Sequence, residues 1–516
     1  IRELRVTSRT TVEQYRDTKK PLRQIGQELG VTYILEGSVR RAGGKVRVTG
    51  QLIDARTDEH LWAKKYDRDL TDIFALQSEL AQAIAGELKL ALSPQEKSLI
   101  ERRPTENLAA YDLYLQAREQ GRQIAGGAIG KAKELLERSL RLDPNFAEAW
   151  AYLAKVESRG ATPGYLGSEK LALAKKAIET AVRLAPDSPE VIQNLGEYYY
   201  RAYLDYPRAL EQLEKLARLR PNEPDGPALS GAIQRRQGKW TDSLGSFRTA
   251  LQLEPGNMRT AFDLANSLAA VRRYDEARVL QRRIVERLPD DRGAKFDLAY
   301  LSFLETGATK EVEDFFARLL ADDANSGRTV GFRRRWALLH GDFIEAVRFD
   351  RIMRYGGANG ALAMAIGLAA QGDVAAARTR LEDFPATLRA SVESARTSIQ
   401  WATLGQMEAV LGHKEDALRC ARRATELSPE SRDAALGPIC SAALAFVKAW
   451  TGDKDAAIAD YARLLRVPYG SWSAGNSISS LTTVHKMKHD ARYAPLRGDP
   501  RFEALLNDPK NNGPLF

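Results

Sequence analysis

Two cysteines in 516 residues are too few for a disulfide framework, which excludes the small secreted scaffolds held together by cross-links. Long hydrophobic runs are also missing. The apolar stretch Gly357–Gln371 is too short, and too rich in glycine and alanine, to cross a bilayer as a helix. No signal peptide opens the chain, and it begins at Ile1 inside what reads as a strand. The expectation is a fragment, so the missing targeting segment bears little on the parent protein. Charge of one sign is not concentrated anywhere. The net charge is +9, with 19 Lys and Arg against 15 Asp and Glu up to Arg103, and 58 against 53 beyond it. With no basic tail and no acidic half, nucleic acid is not an expected partner. What remains is ordinary: an apolar fraction of 44% and a charged fraction of 28% exclude disordered and fibrous chains. The length allows roughly two to five domains.

The chain does contain a repeat. Pro144, Pro186, Pro221, Pro255 and Pro289 are separated by 42, 35, 34 and 34 residues. Each closes a helical phrase of one kind: SLRLDP, AVRLAP, LARLRP, ALQLEP and IVERLP, with ATELSP and RLLRVP further on. Proline cannot continue a helix, and it disfavours helix in the residue before it. Between the prolines, small residues (Gly231, Ala265, Ala277, Gly405, Ala417) alternate with large ones (Trp150, Phe247, Leu264, Trp401). The small ones let two helix backbones approach, and the large ones fill the space between neighbouring pairs. Gln237-Gly238-Lys239, Gln371-Gly372-Asp373 and Leu411-Gly412-His413 read as turns within a pair, glycine supplying the left-handed helix cap. One pair cannot bury its own apolar face, so the pairs must stack.

Trp150-x-x-Leu153-Ala154, Leu195-Gly196 with Tyr199, and Ala417 with Ala424 before Pro429 resemble the tetratricopeptide repeat. That resemblance implies a mainly α fold: an α-solenoid of about nine helix pairs, wound as a right-handed superhelix, over residues 108–468. The repeats blur between Thr309 and Pro385, although the phrases from Gly341 and from Gly372 still read as turns entering a helix. The first unit carries an insertion at Gly160–Gly167, expected as a surface loop. Residues 469–516 are expected to cap the last pair, and residues 93–107 to form a linker.

The first hundred residues follow a different period. Val31, Tyr33, Leu35, Gly37 and Val39 alternate with polar neighbours, Gly43-Gly44 permits a tight turn, and Val46, Val48 and Leu52 share one face of Lys45–Asp54. A third extended phrase spans His60–Tyr66. Pro21 and Gly30 bracket a short helix, and Ile73, Leu76, Leu80, Ile84 and Leu88 stripe a longer one over about 71–92. The expected order is strand, helix, three strands, helix: a small α+β domain over residues 1–92. The phrases LEGSVRR, QLIDA and HLWAKKYDR resemble the TolB-like amino-terminal domain found before tetratricopeptide arrays in bacterial regulators. That family usually starts with a further strand and helix, which implies truncation here. It also implies a regulatory half of a larger signalling protein: a class III adenylate or guanylate cyclase, a serine/threonine kinase or a winged-helix transcriptional regulator.

Chemistry-bearing motifs fail on inspection. Around Gly126-Gly127-Ala128-Ile129-Gly130-Lys131, Ala125 and Ala132 stand where a phosphate loop needs glycine and Ser or Thr. Ser471 misses the nucleophile-elbow pattern. His485 and His489, with Asp490, make an incomplete zinc set. Cys420 and Cys440 read as small residues in packed helices. Arg235-Arg236, Arg272-Arg273, Arg282-Arg283 and Arg333-Arg334-Arg335 read as solvated helix faces with acids nearby. The expectation is a chain with no catalytic residues, no metal and no cofactor.

Tetratricopeptide arrays bind extended peptides or partner helices on the first helices of their pairs. Carrying that pattern across selects Gln193, Tyr200, Arg235, Arg259, Phe262, Asn266, Phe296 and Tyr300, with packing between repeats as the other reading of the three aromatics Phe262, Phe296 and Tyr300. Asn266 matches one position of the carboxylate clamp of chaperone-binding members, but the accompanying lysines and second asparagine do not line up. The expected partners are proteins or peptides, with self-association left open and with no nucleic acid or membrane segment. The expected compartment is the cytoplasm, or the periplasm if a membrane helix precedes the fragment.

Overall fold

The structure, a computed structural model, describes the chain apart from residues 8–10, 13–14, 17, 70–72, 123–126, 160–166, 324–326, 341, 343–344, 347, 350–357, 383, 385, 387, 389–396 and 471–481. Residues 160–166 of the insertion at Gly160–Gly167, the Ser471 segment and half of the phrase from Gly341 lie outside the described residues. Two compact units divide the chain: residues 1–229 with 249–257, and residues 230–248 with 258–516.

The first unit opens with α1 (Leu22–Leu29), which ends at Gly30 in the left-handed conformation. Three antiparallel strands follow in the order β1 (Tyr33–Ala42), β2 (Lys45–Asp54), β3 (Glu59–Asp69). The register sets Leu35 opposite Leu52 and Val39 opposite Val48, so the expected apolar faces of β1 and β2 coincide. Helix α2 (Ile73–Glu87) lays Ile73, Leu76 and Leu80 on Val46, Val48, Trp62 and Tyr66. It covers β2 and β3 and leaves Leu35 and Val39, on the edge strand, exposed.

Three features depart from the sequence reading. No strand forms over Ile1–Thr7; instead Asn222 Nδ2 donates to the Arg2 and Leu4 carbonyls at 2.8 and 2.9 Å. Ile1–Leu4 forms a turn in which the Leu4 N–H donates to the Ile1 carbonyl at 3.3 Å, and with no ladder to join, its other carbonyls accept from a side chain. The long helix stops at Glu87, and Lys89 takes a positive φ of 55°. The expected linker holds α3 (Pro94–Glu101), opened by a capping box in which Ser93 and Glu96 satisfy each other's backbone N–H groups.

Beyond Asn107 the chain is helical pairs. They are α4 (Leu108–Arg122) with α5 (Ala128–Leu142), α6 (Ala147–Ser158) with α7 (Ser168–Leu184), and α8 (Pro189–Tyr198) with α9 (Tyr206–Leu219). Next come α10 (Asp225–Arg236) with α11 (Trp240–Leu253), α12 (Met258–Ala270) with α13 (Tyr274–Arg287), and α14 (Arg292–Thr306) with α15 (Lys310–Asp323). After α16 (Gly327–His340) follow α17 (Ala358–Ala370) with α18 (Val374–Leu381), α19 (Ser398–Leu411) with α20 (Lys414–Leu427), and α21 (Gly437–Trp450) with α22 (Lys454–Leu464). Pro144, Pro186, Pro221, Pro255 and Pro289 each stand two residues beyond the last residue of a second helix, as the phrases require.

Close approach within a pair is visible at Gly405, where a Cβ would meet the Ala417 carbonyl oxygen and the Ala421 nitrogen, each at 3.0 Å. Gly412 ends the same helix at φ 88°, a conformation glycine adopts without a steric penalty. Between pairs, Tyr114, Leu136, Phe146 and Tyr152 interlock α4, α5 and α6. Each such buried side chain contributes about 1.5–3 kcal/mol relative to exposure. The architecture is therefore an α-solenoid of helix pairs, preceded in the chain by a small α+β element. The tail, α23 (Val484–His489) and α24 (Pro500–Asn507) around a 3₁₀ turn, packs Tyr493, Leu496, Phe502 and Leu506 against Ile458, Tyr461 and Leu464 of the last pair.

Candidate partner-binding surface

In the first unit, the first helices of the pairs carry a polar row tied together by charge. Gln193, on α8, is half-buried and donates to Asp225 Oδ2 at 2.7 Å. Tyr200 lies in a π-helical turn, Tyr199–Tyr203, that extends α8; it is buried, with its ring centroid 6.4 Å from that of Tyr206. Beside them, Glu197 is surrounded by cations: Lys155 Nζ at 2.8 Å, Arg201 Nε at 2.7 Å and Arg159 Nε at 3.7 Å. Burial alone would raise this carboxyl, but Lys155, Arg201 and Arg159 outweigh it and hold Glu197 well below the usual range. Glu148 shows the opposite balance. Burial pushes it up despite its pairing with Arg102, and Ser188 Oγ donates to the same oxygen at 3.0 Å. Among the described residues its other oxygen has no hydrogen-bond partner.

In the second unit, Arg235 and Arg259 converge on one carboxylate. Arg259 Nε lies 3.1 Å from Asp263 Oδ2, and Arg235 Nη2 lies 3.7 Å from Asp263 Oδ1. Arg235 also donates to Ser267 Oγ at 3.1 Å and sits 5.6 Å from the centroid of the Phe247 ring. Its guanidinium is thus positioned by a carboxylate, a hydroxyl and an aromatic face. The Arg259 side chain remains 75% exposed, so its outer face is open to a ligand. Phe262 and Asn266, on the same helix α12, are half-buried.

Phe296 and Tyr300 are placed differently. They are 0% and 1% exposed, and their rings stack at 5.8 Å within a cluster that includes Phe303, Phe315, Phe332 and Trp336. Both rings are thus enclosed within the array. Tyr200 is buried in the same sense.

Asp263 and the Glu197 network are absent from the sequence-derived set. The (i, i+4) spacings Arg259–Asp263 and Glu197–Arg201 were readable as helix-surface ion pairs. The contributions of Arg235 and Lys155, from neighbouring helices, were not. The arginine doublets are corrected as well, because several of these residues are internal rather than solvated. Arg236 pairs with the buried Asp433, Arg272 is buried and donates to the Leu465 carbonyl, and Arg334 is buried and donates to the Gly360 carbonyl. His485 and His489 turn to different neighbours: His485 Nε2 lies 3.2 Å from Asn512 Nδ2, and the His489 ring lies 6.1 Å from that of Phe303. Among the described residues no three metal-ligating side chains cluster. Cys420 and Cys440 are buried, and burial pushes the Cys440 thiol up to about 11.

No protein-family model matches the chain. It is 36% identical over 216 residues to a protein of Rhizobium meliloti (strain 1021) that carries the provisional name adenylate cyclase 3. That match covers 40% of this chain and 35% of the relative, so the chain spans about a third of the relative's length. Solved structures with similar helical construction include a thermophilic tetratricopeptide protein of Thermus thermophilus, at 21% identity and a TM-score of 0.33, covering 38% of this chain and all of that one. Yeast Tom70 aligns at 13% identity and a TM-score of 0.38, over 75% of this chain and 97% of its own. No helix among the described residues is long and apolar enough to cross a membrane.

Proposed function

We propose that the chain is a non-catalytic interaction scaffold that holds a peptide or protein partner against the first helices of its pairs. The observation that carries this reading is the Arg235–Asp263–Arg259 cluster, with Phe262 and Asn266 beside it on α12. An aromatic ring, an amide and two guanidiniums held by one carboxylate form a polar and apolar face suited to a peptide backbone and an acidic or amide side chain. Gln193 gives the first unit its own polar contact on α8. Tyr200, Phe296 and Tyr300 serve in this reading as the packing that holds those helices in place. Pull-down of partners from a native lysate with the intact chain tests the proposal. The paired substitutions Arg259→Ala and Asn266→Ala should weaken capture of at least one specific partner tenfold or more. If every partner is captured as well by the doubly substituted chain, the α12 face is not the binding surface.

A second reading is favoured by the Rhizobium relative: this chain as the regulatory part of a nucleotide cyclase. The gene sequence upstream of Ile1 tests it. A reading frame encoding a cyclase catalytic domain supports it, and a frame encoding a kinase or a winged-helix domain replaces it.

A further inference from the structure

The second unit carries a cleft whose base shares Phe315 with the aromatic cluster of α14. It has a volume of about 690 Å³ and lies between α13 and α15, the second helices of two successive pairs, with α14 as its floor. Leu298 and Ala299 of α14, Val285 of α13, and Phe315 and Leu319 of α15 give it an apolar base. Its charged rim is polarised. Arg278 and Arg282 of α13, with Arg292 and Lys295 of α14, form a wall in which Asp290 is the single acid, while Glu311 and Asp314 line the α15 wall with Arg318.

Several of these charges are already committed within the protein. Arg278 pairs with Glu305, Lys310 lies 2.8 Å from Asp314, and Arg318 Nε donates to the Asp314 carbonyl at 3.1 Å. Arg282 and Lys295 are exposed at the rim and, among the described residues, have no ion pair; the same holds for Asp290 on that wall and for Glu311 on the α15 wall. The cleft therefore presents an excess of positive charge on its α13–α14 wall, Arg282 and Lys295 against Asp290, above an apolar floor. Its volume falls in the range of ligand sites, but small-molecule sites enclose about 70–90% of their ligand. Here Arg282, Lys295, Glu311 and Arg318 all remain exposed, so the rim is open along its length. An occupant that keeps one side in water, as a bound peptide does, fits this form better than an enclosed small molecule.

We infer that this cleft is a second binding site, distinct from the α12 face, for an acidic peptide segment with an apolar anchor. Its hydrophobic side chains rest on Leu298, Ala299, Phe315 and Leu319, and its carboxylates face Arg282 and Lys295. Charge complementarity selects the occupant: on the α13–α14 wall the unpaired Arg282 and Lys295 outnumber the single acid Asp290, and the floor accepts aliphatic or aromatic side chains.

Fluorescence anisotropy on the full chain tests this with a labelled peptide that has a leucine–phenylalanine core flanked by paired glutamates. A second peptide carries lysine in place of every glutamate. The acidic peptide should bind at least tenfold more tightly than the lysine peptide, and raised salt should narrow that gap. Arg282→Glu with Lys295→Glu, both on exposed side chains, should abolish the preference while thermal unfolding stays unchanged. Arg259→Ala with Asn266→Ala should leave it intact, which separates this site from the α12 face. Equal binding of the two peptides, or an unchanged preference in the Arg282→Glu, Lys295→Glu chain, overturns the proposal. So does tighter binding of decanoate or inorganic phosphate than of the acidic peptide with the same dependence on Arg282 and Lys295, which would make the cleft a small-anion site.

Discussion

Replacing Glu197 with glutamine tests the reasoning about the first unit most directly. The two carboxylate oxygens serve different cations: Oε2 meets Lys155 at 2.8 Å and Oε1 meets Arg201 at 2.7 Å, with the side chain 7% exposed. At an effective dielectric of about 20, each contact represents roughly 6 kcal/mol of gross attraction. Desolvation takes back several kcal/mol per ion, so the pair itself is worth much less than that sum. Glutamine is nearly the same size but has a single acceptor oxygen. Whichever way the amide turns, its NH₂ faces one of the cations, and a buried charge loses its partner. Breaking a buried pair from one side costs about 3–5 kcal/mol.

Hydrogen exchange at pH 7 is the suitable assay, because a helical array need not unfold in one step. Amides of α6 and α8 should lose about 3–5 kcal/mol of protection, up to their full local stability, while those of α20 and α22 keep theirs, since repeats couple to near neighbours. The sign of the pH dependence follows from the lowered carboxyl. Its contribution is fully present above the unfolded value of about 4.3 and is lost as pH falls toward the folded one. The difference between wild type and Glu197→Gln in urea midpoint should therefore shrink on acidification below about pH 4. Protection of α6 and α8 unchanged to within about 0.5 kcal/mol at pH 7 would refute the argument, as would a gap that widens in acid.

Other parts of the fold make separate predictions. Gly405→Val places a side chain against the Ala417 and Ala421 backbone, where even a Cβ would meet atoms at 3.0 Å. It should cost about 1–3 kcal/mol or more by overpacking, read as a lower urea midpoint; a midpoint equal to wild type would mean that α19 and α20 separate freely. Phe247→Ala removes a side chain that is 1% exposed, and circular dichroism melts should show a loss of about 3–5 kcal/mol. His485 and His489 are both lowered, chiefly by burial and further by Lys488. Their neutral forms stabilise the tail above the unfolded value of about 6.5, and that stability is lost as pH falls from there toward the folded values. Exchange of α23 amides, corrected for intrinsic rate, should speed up between pH 7 and 5 in wild type and much less in His485→Gln with His489→Gln.

The helix pairs were legible in the sequence because their signals are local. A proline two residues past each second helix, a left-handed glycine at a turn, and apolar residues at helical spacing act within a few residues of where they stand. The hairpin of β1 and β2 was legible for the same reason, through strict alternation and Gly43-Gly44. The fate of individual side chains depended on residues far along the chain. Arg236 reads as half of a solvated doublet until Asp433 closes on it, 197 positions away. Phe296 and Tyr300 read equally as binding or as packing aromatics, and Phe315, Phe332 and Trp336 enclose them. Arg235 meets Asp263 and Ser267 only because packing brings α12 against it. The sequence by itself determined the repeat, because turns and periodicity are properties of short segments. Only the tertiary structure decided which charges are buried and which remain free to bind, because burial and pairing belong to the neighbours that folding supplies.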